Sequence, residues 1–169
     1  MKRCAILVLP LLLVASVAPA SLAQGNAARG LEKLKSLAGD WQARRADGTP
    51  VEVSYRFVSG GSAVLETLAP ANEPEMVTLY HLDGDDIVLT HYCSAGNQPR
   101  LRAERAAGDS HSLEFHFADA TNLAGPSAGH INDLSLTFLE DGSVTQVWTW
   151  VEDGQSTQTT YDLKRKKPL

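Results

Sequence analysis

Apolar residues alternate with polar ones along most of the chain, and the alternation is cut at short intervals by turn residues. Val51, Val53, Tyr55 and Phe57 share one face of a run, with Glu52, Ser54 and Arg56 opposite. Leu113, Phe115 and Phe117 oppose Glu114 and His116, which puts His111 in phase with the inward set. Leu134, Leu136 and Phe138 alternate with polar neighbours, and Tyr161, Leu163 and Arg165 share a face of the last run. A period of two marks half-buried strands. Runs over residues 41–46, 51–58, 62–69, 76–82, 87–93, 101–106, 111–118, 131–139, 144–151 and 156–165 predict about ten strands. They are separated by Asp-Gly, Gly-Gly or Pro-rich breaks.

Asp83-Gly84-Asp85-Asp86 between residues 76–82 and 87–93 is a strong hairpin signal. With those four residues as the loop, Leu82 faces Ile87, Tyr80 faces Leu89, Thr78 faces His91 and Met76 faces Cys93. Thr78 and His91 are then polar members of an otherwise apolar face. The one helical pattern covers residues 26–38, where Leu31, Leu34, Leu37 and Ala38 recur at three- and four-residue spacing before Gly39. No helices fall between strands, which argues against a parallel α/β fold. The pattern predicts an all-β protein, an antiparallel up-and-down β-barrel of about ten strands with a short N-terminal helix.

The start of the chain changes the compartment. Lys2 and Arg3 precede an almost wholly apolar run over residues 5–18, followed by small-residue options Ala18-Pro19-Ala20 and Ser21-Leu22-Ala23. This is the layout of a secretory signal peptide. The run is shorter than the ~20 residues that span a bilayer. Cleavage after Ala23 divides the chain into a signal peptide, 1–23, and one barrel domain, 24–169. The protein is expected to be exported, periplasmic or secreted, and bacterial, with no membrane anchor after cleavage. Residues 166–169 read as a frayed tail. Removal of Lys2 and Arg3 leaves 13 basic against 20 acidic residues, a formal net charge of −7 that disfavours a nucleic-acid partner. Cys93 is the one cysteine expected in the mature chain, so no internal disulfide forms. It reads as a small buried hydrophobe before it reads as a nucleophile. His91 lies on its face of the strand, but ~6.5 Å along the backbone is too far for a direct thiol–imidazole hydrogen bond.

Candidate chemistry is sparse. The five histidines form no chelating pattern, and no metal site is expected. Neither a Gly-x-Ser-x-Gly elbow nor a zinc-protease motif occurs. An interior pocket is the better reading, with Tyr55, Tyr80, His91, His111, Trp148, Trp150 and Tyr161 as ligand-binding candidates; the same aromatics would serve equally to fill the barrel. Arg100 suits either a rim position that holds a ligand carboxylate or an ion pair with a nearby acid. Three functions remain open: binding of a small, mostly apolar ligand, catalysis with His91 or His111 as general acid or base, and a filled structural or interaction module. The segment over residues 119–129 is a long loop that suits a lid or slack chain alike.

Leu37-Ala38-Gly39-Asp40-Trp41 resembles the Gly-x-Trp start of lipocalin-like (calycin) barrels. The strand count is similar to the ten-stranded fatty-acid-binding and nitrobindin-like branches. The stretch LTHYCSAGNQPR resembles a recurring segment in an uncharacterised exported bacterial family. The calycin resemblance implies that Trp41 packs at the closed end under a basic residue of the last strand, here Arg165, as a cation–π pair. Nitrobindin-like barrels bind haem through a C-terminal histidine. No histidine follows His130, so haem is not expected and no cofactor is assigned.

Overall fold

Ten strands pair in sequence order and close on themselves, β1 against β10, into one antiparallel barrel. The structure is a computed structural model that describes residues 19–103 and 111–167, with side chains from residue 25 onward. Residues 1–18 of the expected signal peptide, the end of the predicted 101–106 strand with its Gly108-Asp109 turn, and residues 168–169 of the tail lie outside the described residues.

The elements are α1 (Pro19–Ser36), β1 (Gly39–Arg44), β2 (Pro50–Val58), β3 (Ala63–Pro70), β4 (Met76–Asp83), β5 (Asp86–Tyr92), β6 (Gln98–Ala103), β7 (Ser112–Thr121), β8 (His130–Phe138), β9 (Val144–Glu152) and β10 (Gln155–Arg165). The fold is all-β and consistent with a lipocalin-like (calycin) barrel. Closure leaves each strand with two neighbours, so among the described residues the barrel wall has no open sheet edge.

The β4–β5 hairpin has the expected register, with Leu82 opposite Ile87, Tyr80 opposite Leu89 and Thr78 opposite His91. Its loop is tighter than four residues, because Asp83 and Asp86 also pair. Arg102 on β6 binds both of these carboxylates and fastens the turn. Several boundaries move, beginning with α1, which covers Pro19–Ser36 rather than 26–38, and β1, which covers Gly39–Arg44 rather than 41–46. β6 starts at Gln98, so Pro99 and Arg100 belong to a strand rather than a loop. Pro99 is tolerated there because β5 joins β6 only from Arg100 onward. β7 runs on to Thr121, which shortens the following loop to residues 122–129. Lys166 is tied down rather than frayed, since its backbone N–H donates to Asp40.

The alternation holds where it meets the interior. Val51, Val53 and Tyr55 are buried, as are Leu113, Phe115, Leu134, Leu136, Tyr161 and Leu163. Phe57 departs from it at 54% exposed, because β2 has by then reached the barrel's end. His111 departs as well: it precedes β7 in an exposed bend, where the inward phase of that strand no longer applies.

The helix closes one end. Leu31, Leu34 and Leu37 are buried and join the same core as the strand interiors. Trp41 Nε1 donates to the Leu37 carbonyl at 2.7 Å. The Arg165 guanidinium lies 4.4 Å from the Trp41 ring centroid and donates to the carbonyls of Ala38 (2.7 Å) and Ser36 (3.0 Å). Three carbonyls around the helix C-terminus thus find partners, and a cation sits at the negative end of the helix dipole. Gly39 makes this approach possible: its φ is +124°, and a Cβ there would lie 2.9 Å from Arg165 Nη1.

Candidate functional site

The interior changes character along the barrel axis. Next to the helix it is apolar. At mid-height one polar row crosses four neighbouring strands, because Tyr55 pairs with Glu66, Glu66 with Thr78 and Thr78 with His91. Exact pairing on consecutive strands puts all four side chains on the inner face. All four are buried.

Glu66 is the centre of the lower part. Its Oε2 accepts from the Tyr80 hydroxyl, and its Oε1 accepts from Gln146 Nε2 at 2.6 Å. Tyr55 also bonds the carboxyl and accepts from Gln146 Nε2 at 2.5 Å. Trp148 Nε1 donates to Gln146 Oε1 at 3.1 Å. Burial without a cation pushes the Glu66 carboxyl above its ordinary pKa, against the pull of its hydrogen bonds. The same burial, with the nearby Glu66, holds Tyr55 and Tyr80 well above the ordinary phenol value. Tyr80 also packs edge-on against Phe115, with ring centroids 5.8 Å apart.

Above this layer the barrel opens into a cavity of about 350 Å³ at the end opposite the helix. Leu68, Met76, Ile131, Trp148 and Trp150 form its apolar walls; His91, Cys93, Thr157, Thr159 and Tyr161 add polar or polarisable atoms. Arg45 and Glu73 stand at the mouth as a two-pronged ion pair, and Arg45 Nε approaches the Tyr161 hydroxyl at 3.4 Å. The Glu73 bond raises the Arg45 pKa, so the guanidinium stays charged.

His91 is a buried polar group of this cavity, at 3% exposed. Its Nδ1 shares a hydrogen bond of 2.9 Å with Thr78 Oγ1. Its ring lies 4.8 Å from that of Trp148, centroid to centroid. Among the described residues Nε2 has no hydrogen-bond partner, and the ring borders the cavity. Burial lowers its pKa to about 4, which keeps the imidazole neutral at pH 7. Its hydrogen-bond partner among the described residues is a hydroxyl, not the carboxylate or phenol that would orient a general base.

The sequence candidates therefore separate. His91, Trp148, Trp150 and Tyr161 meet at the cavity. Tyr55 and Tyr80 belong to the filled layer beneath it, where their hydroxyls are spent on Glu66 and Gln146. Arg100 lies on the outer face in a two-pronged pair with Asp119, at 2.5 and 2.6 Å, and is half-exposed. It is therefore an ion-pair residue and not a rim residue of this cavity. His111 is exposed and stands apart from the cavity. Trp41 and Arg165 form the closed-end pair. Glu66 escaped the sequence reading although it alternates in phase with Val64 and Leu68; a carboxylate in an inward position was the available signal. Arg45 follows β1 in phase with the buried Trp41 and Ala43, so alternation was the available signal there, whereas Glu73 lies in a connecting segment, where periodicity carries no information.

The segment over residues 122–129 is strapped down. Asn97 Nδ2 donates to the Gly129 carbonyl (2.8 Å), Asn122 Nδ2 to the Gly96 carbonyl (2.6 Å), and Asp153 N to the Ser127 carbonyl (3.0 Å). Gly129 lets Trp150 lie against it: a Cβ there would fall 2.1 Å from Trp150 Cζ2. The strap thus backs one wall of the cavity. A larger groove of about 570 Å³ runs outside the barrel between α1 and the β3–β4 rim. Its Glu32 and Lys35 pair with each other. Among the described residues no three His, Cys, Asp or Glu side chains converge.

No family model matches the chain, and no curated protein matches it.

Proposed function

We propose that the protein is an exported member of the lipocalin-like barrels, of the ten-stranded fatty-acid-binding or nitrobindin-like type. It holds a small, mostly apolar molecule in the open end. The observation that carries this reading is the cavity of about 350 Å³, walled by Trp148, Trp150, Leu68 and Ile131, with the buried His91 at its border. That volume is at the small end of the ~300–1,000 Å³ of ligand pockets. It suits a compact ring system better than a long chain. An apolar wall with a few placed hydrogen-bonding groups supplies affinity from burial and orientation from those contacts. Because His91 lacks a carboxylate or phenol partner, binding is favoured over acid–base turnover.

Export rests on the basic start, the apolar run and the small-residue cleavage options of residues 1–23. Native mass spectrometry of protein taken from its own compartment tests both parts. The mature mass should begin at Gln24 and carry an excess that disappears on denaturation. His91→Ala and Trp148→Leu should lower that excess while circular dichroism stays unchanged. Equal occupancy in wild type and both variants, or a bare mass from every preparation, would sink the reading.

A further inference from the structure

One side of the cavity carries two soft sulfur donors and one imidazole nitrogen. The β4–β5 ladder ends where Val77 pairs with Tyr92, so the expected pairing of Met76 with Cys93 does not form; Met76 opens β4, and Cys93 follows β5 in the turn before β6. Met76, His91 and Cys93 all border the cavity. Residues two apart in an extended chain, as His91 and Cys93 are, have backbones ~6.5 Å apart. That gap is too wide for a thiol–imidazole hydrogen bond. A metal ion between the two side chains would hold sulfur and nitrogen up to ~4.3 Å apart, a wider reach than a direct hydrogen bond.

We propose that Met76, His91 and Cys93 form a binding site for one soft monovalent cation of the copper(I) class. The ligand set is thioether, imidazole and thiolate, which selects soft ions. The imidazole is already oriented for the task. Thr78 holds Nδ1 at 2.9 Å, which leaves Nε2, without a partner among the described residues, as the atom at the cavity. Metal-binding histidines commonly have their other nitrogen fixed in this way. Charge decides the valence. On binding, the Cys93 thiol gives its proton to solvent, and the thiolate cancels one positive charge. A monovalent ion then leaves a neutral complex beside Trp148, whereas a divalent ion would leave a net charge among apolar side chains. A harder ion such as zinc(II) also lacks ligands, since no three His, Cys, Asp or Glu side chains converge among the described residues. The site stands on these three side chains and not on the presence of an organic ligand.

The test uses the metal alone. The mature protein is titrated with silver(I) in chloride-free buffer. It is also titrated anaerobically with copper(I) against a chromogenic copper(I) chelator. One equivalent should bind and quench the fluorescence of Trp148, whose ring lies 4.8 Å from that of His91. Zinc(II) should not compete. Thr78→Val should weaken binding by ~10–100-fold, and Cys93→Ser by more. Met76→Leu conserves volume and keeps the fold, so it remains informative if His91→Gln does not fold. It should weaken binding at least tenfold, by about the lower limit for a supporting residue. Absence of binding overturns the proposal. So does binding that is unchanged by Met76→Leu, or that leaves tryptophan fluorescence unaltered, because a reactive thiol alone would then explain it.

Discussion

Glu66 is a carboxyl group enclosed by donors. Tyr80 and Gln146 both donate to it, and Tyr55 completes the cluster. Removing the acceptor by Glu66→Ala should strand these donors and cost about 1–3 kcal/mol for each one left unpartnered; a thermal melt measures it. The pH dependence has a definite sign. The folded pKa is raised above the ordinary 4.5, so the proton is held more tightly in the folded state. The associated stability is complete below about pH 4.5 and is lost as pH rises through the folded value. Glu66→Gln keeps the shape without the titration. Its melting temperature, relative to wild type, should therefore rise between about pH 4 and pH 8. Parallel profiles would show that Glu66 titrates normally. At Gly39, alanine meets both a positive φ of +124° and the Arg165 guanidinium. Gly39→Ala should cost about 1–3 kcal/mol, and the loss should be smaller in a background that already carries Arg165→Met.

At the scale of elements, the strap over residues 122–129 is a support and not a moving cover. It is tied to the turn after β5 and to the β9–β10 turn, and Gly129 lies flat against Trp150. Gly129→Ala must push the indole out of its place in the cavity wall. The expected result is a shifted tryptophan emission spectrum and weaker uptake of an apolar probe, with far-UV circular dichroism unchanged; an unaltered spectrum would argue that the wall adjusts elsewhere. The strands themselves were legible because burial on one face imposes a period of two, and the hairpin register because a one-residue slip would have turned apolar residues such as Tyr80, Ile87 and Leu89 outward. Arg100 was less legible. Its pairing with Asp119 crosses the β6–β7 register shift at Arg100/Leu101, which local spacing does not reveal. His111 misled because phase predicts facing only inside a strand, and β7 begins one residue later.

For the molecule as a whole, the core is a single cluster that runs from Leu31 and Leu34 of the helix through Tyr55 and Phe115 to Trp148. Helix and barrel should therefore unfold together. Urea curves followed by tryptophan fluorescence and by far-UV circular dichroism should superimpose. An early loss of helix alone would mean that α1 is an appendage. What the sequence concealed at this scale was the division of the interior into a filled half and an open half. That division depends on which inward side chains bond one another, as Glu66, Gln146 and the tyrosines do, and no linear pattern carries it.

The shortest seam of the wall has a consequence for how the chain acquires its shape. β1 meets β10 over two residue pairs, Trp41 with Arg165 and Gln42 with Lys164, while β9 and β10 pair over nine. The Arg165 bond to Ala38 joins positions 127 residues apart. A ribosome delivers Trp41 long before Arg165 exists. For that interval the helix end has neither its cation nor its neighbouring strand, and the growing sheet has two unsatisfied borders. Contacts this distant in sequence form slowly. The lifetime of the half-made sheet, and with it the exposure to sticking between chains, is thus set by the arrival of one arginine.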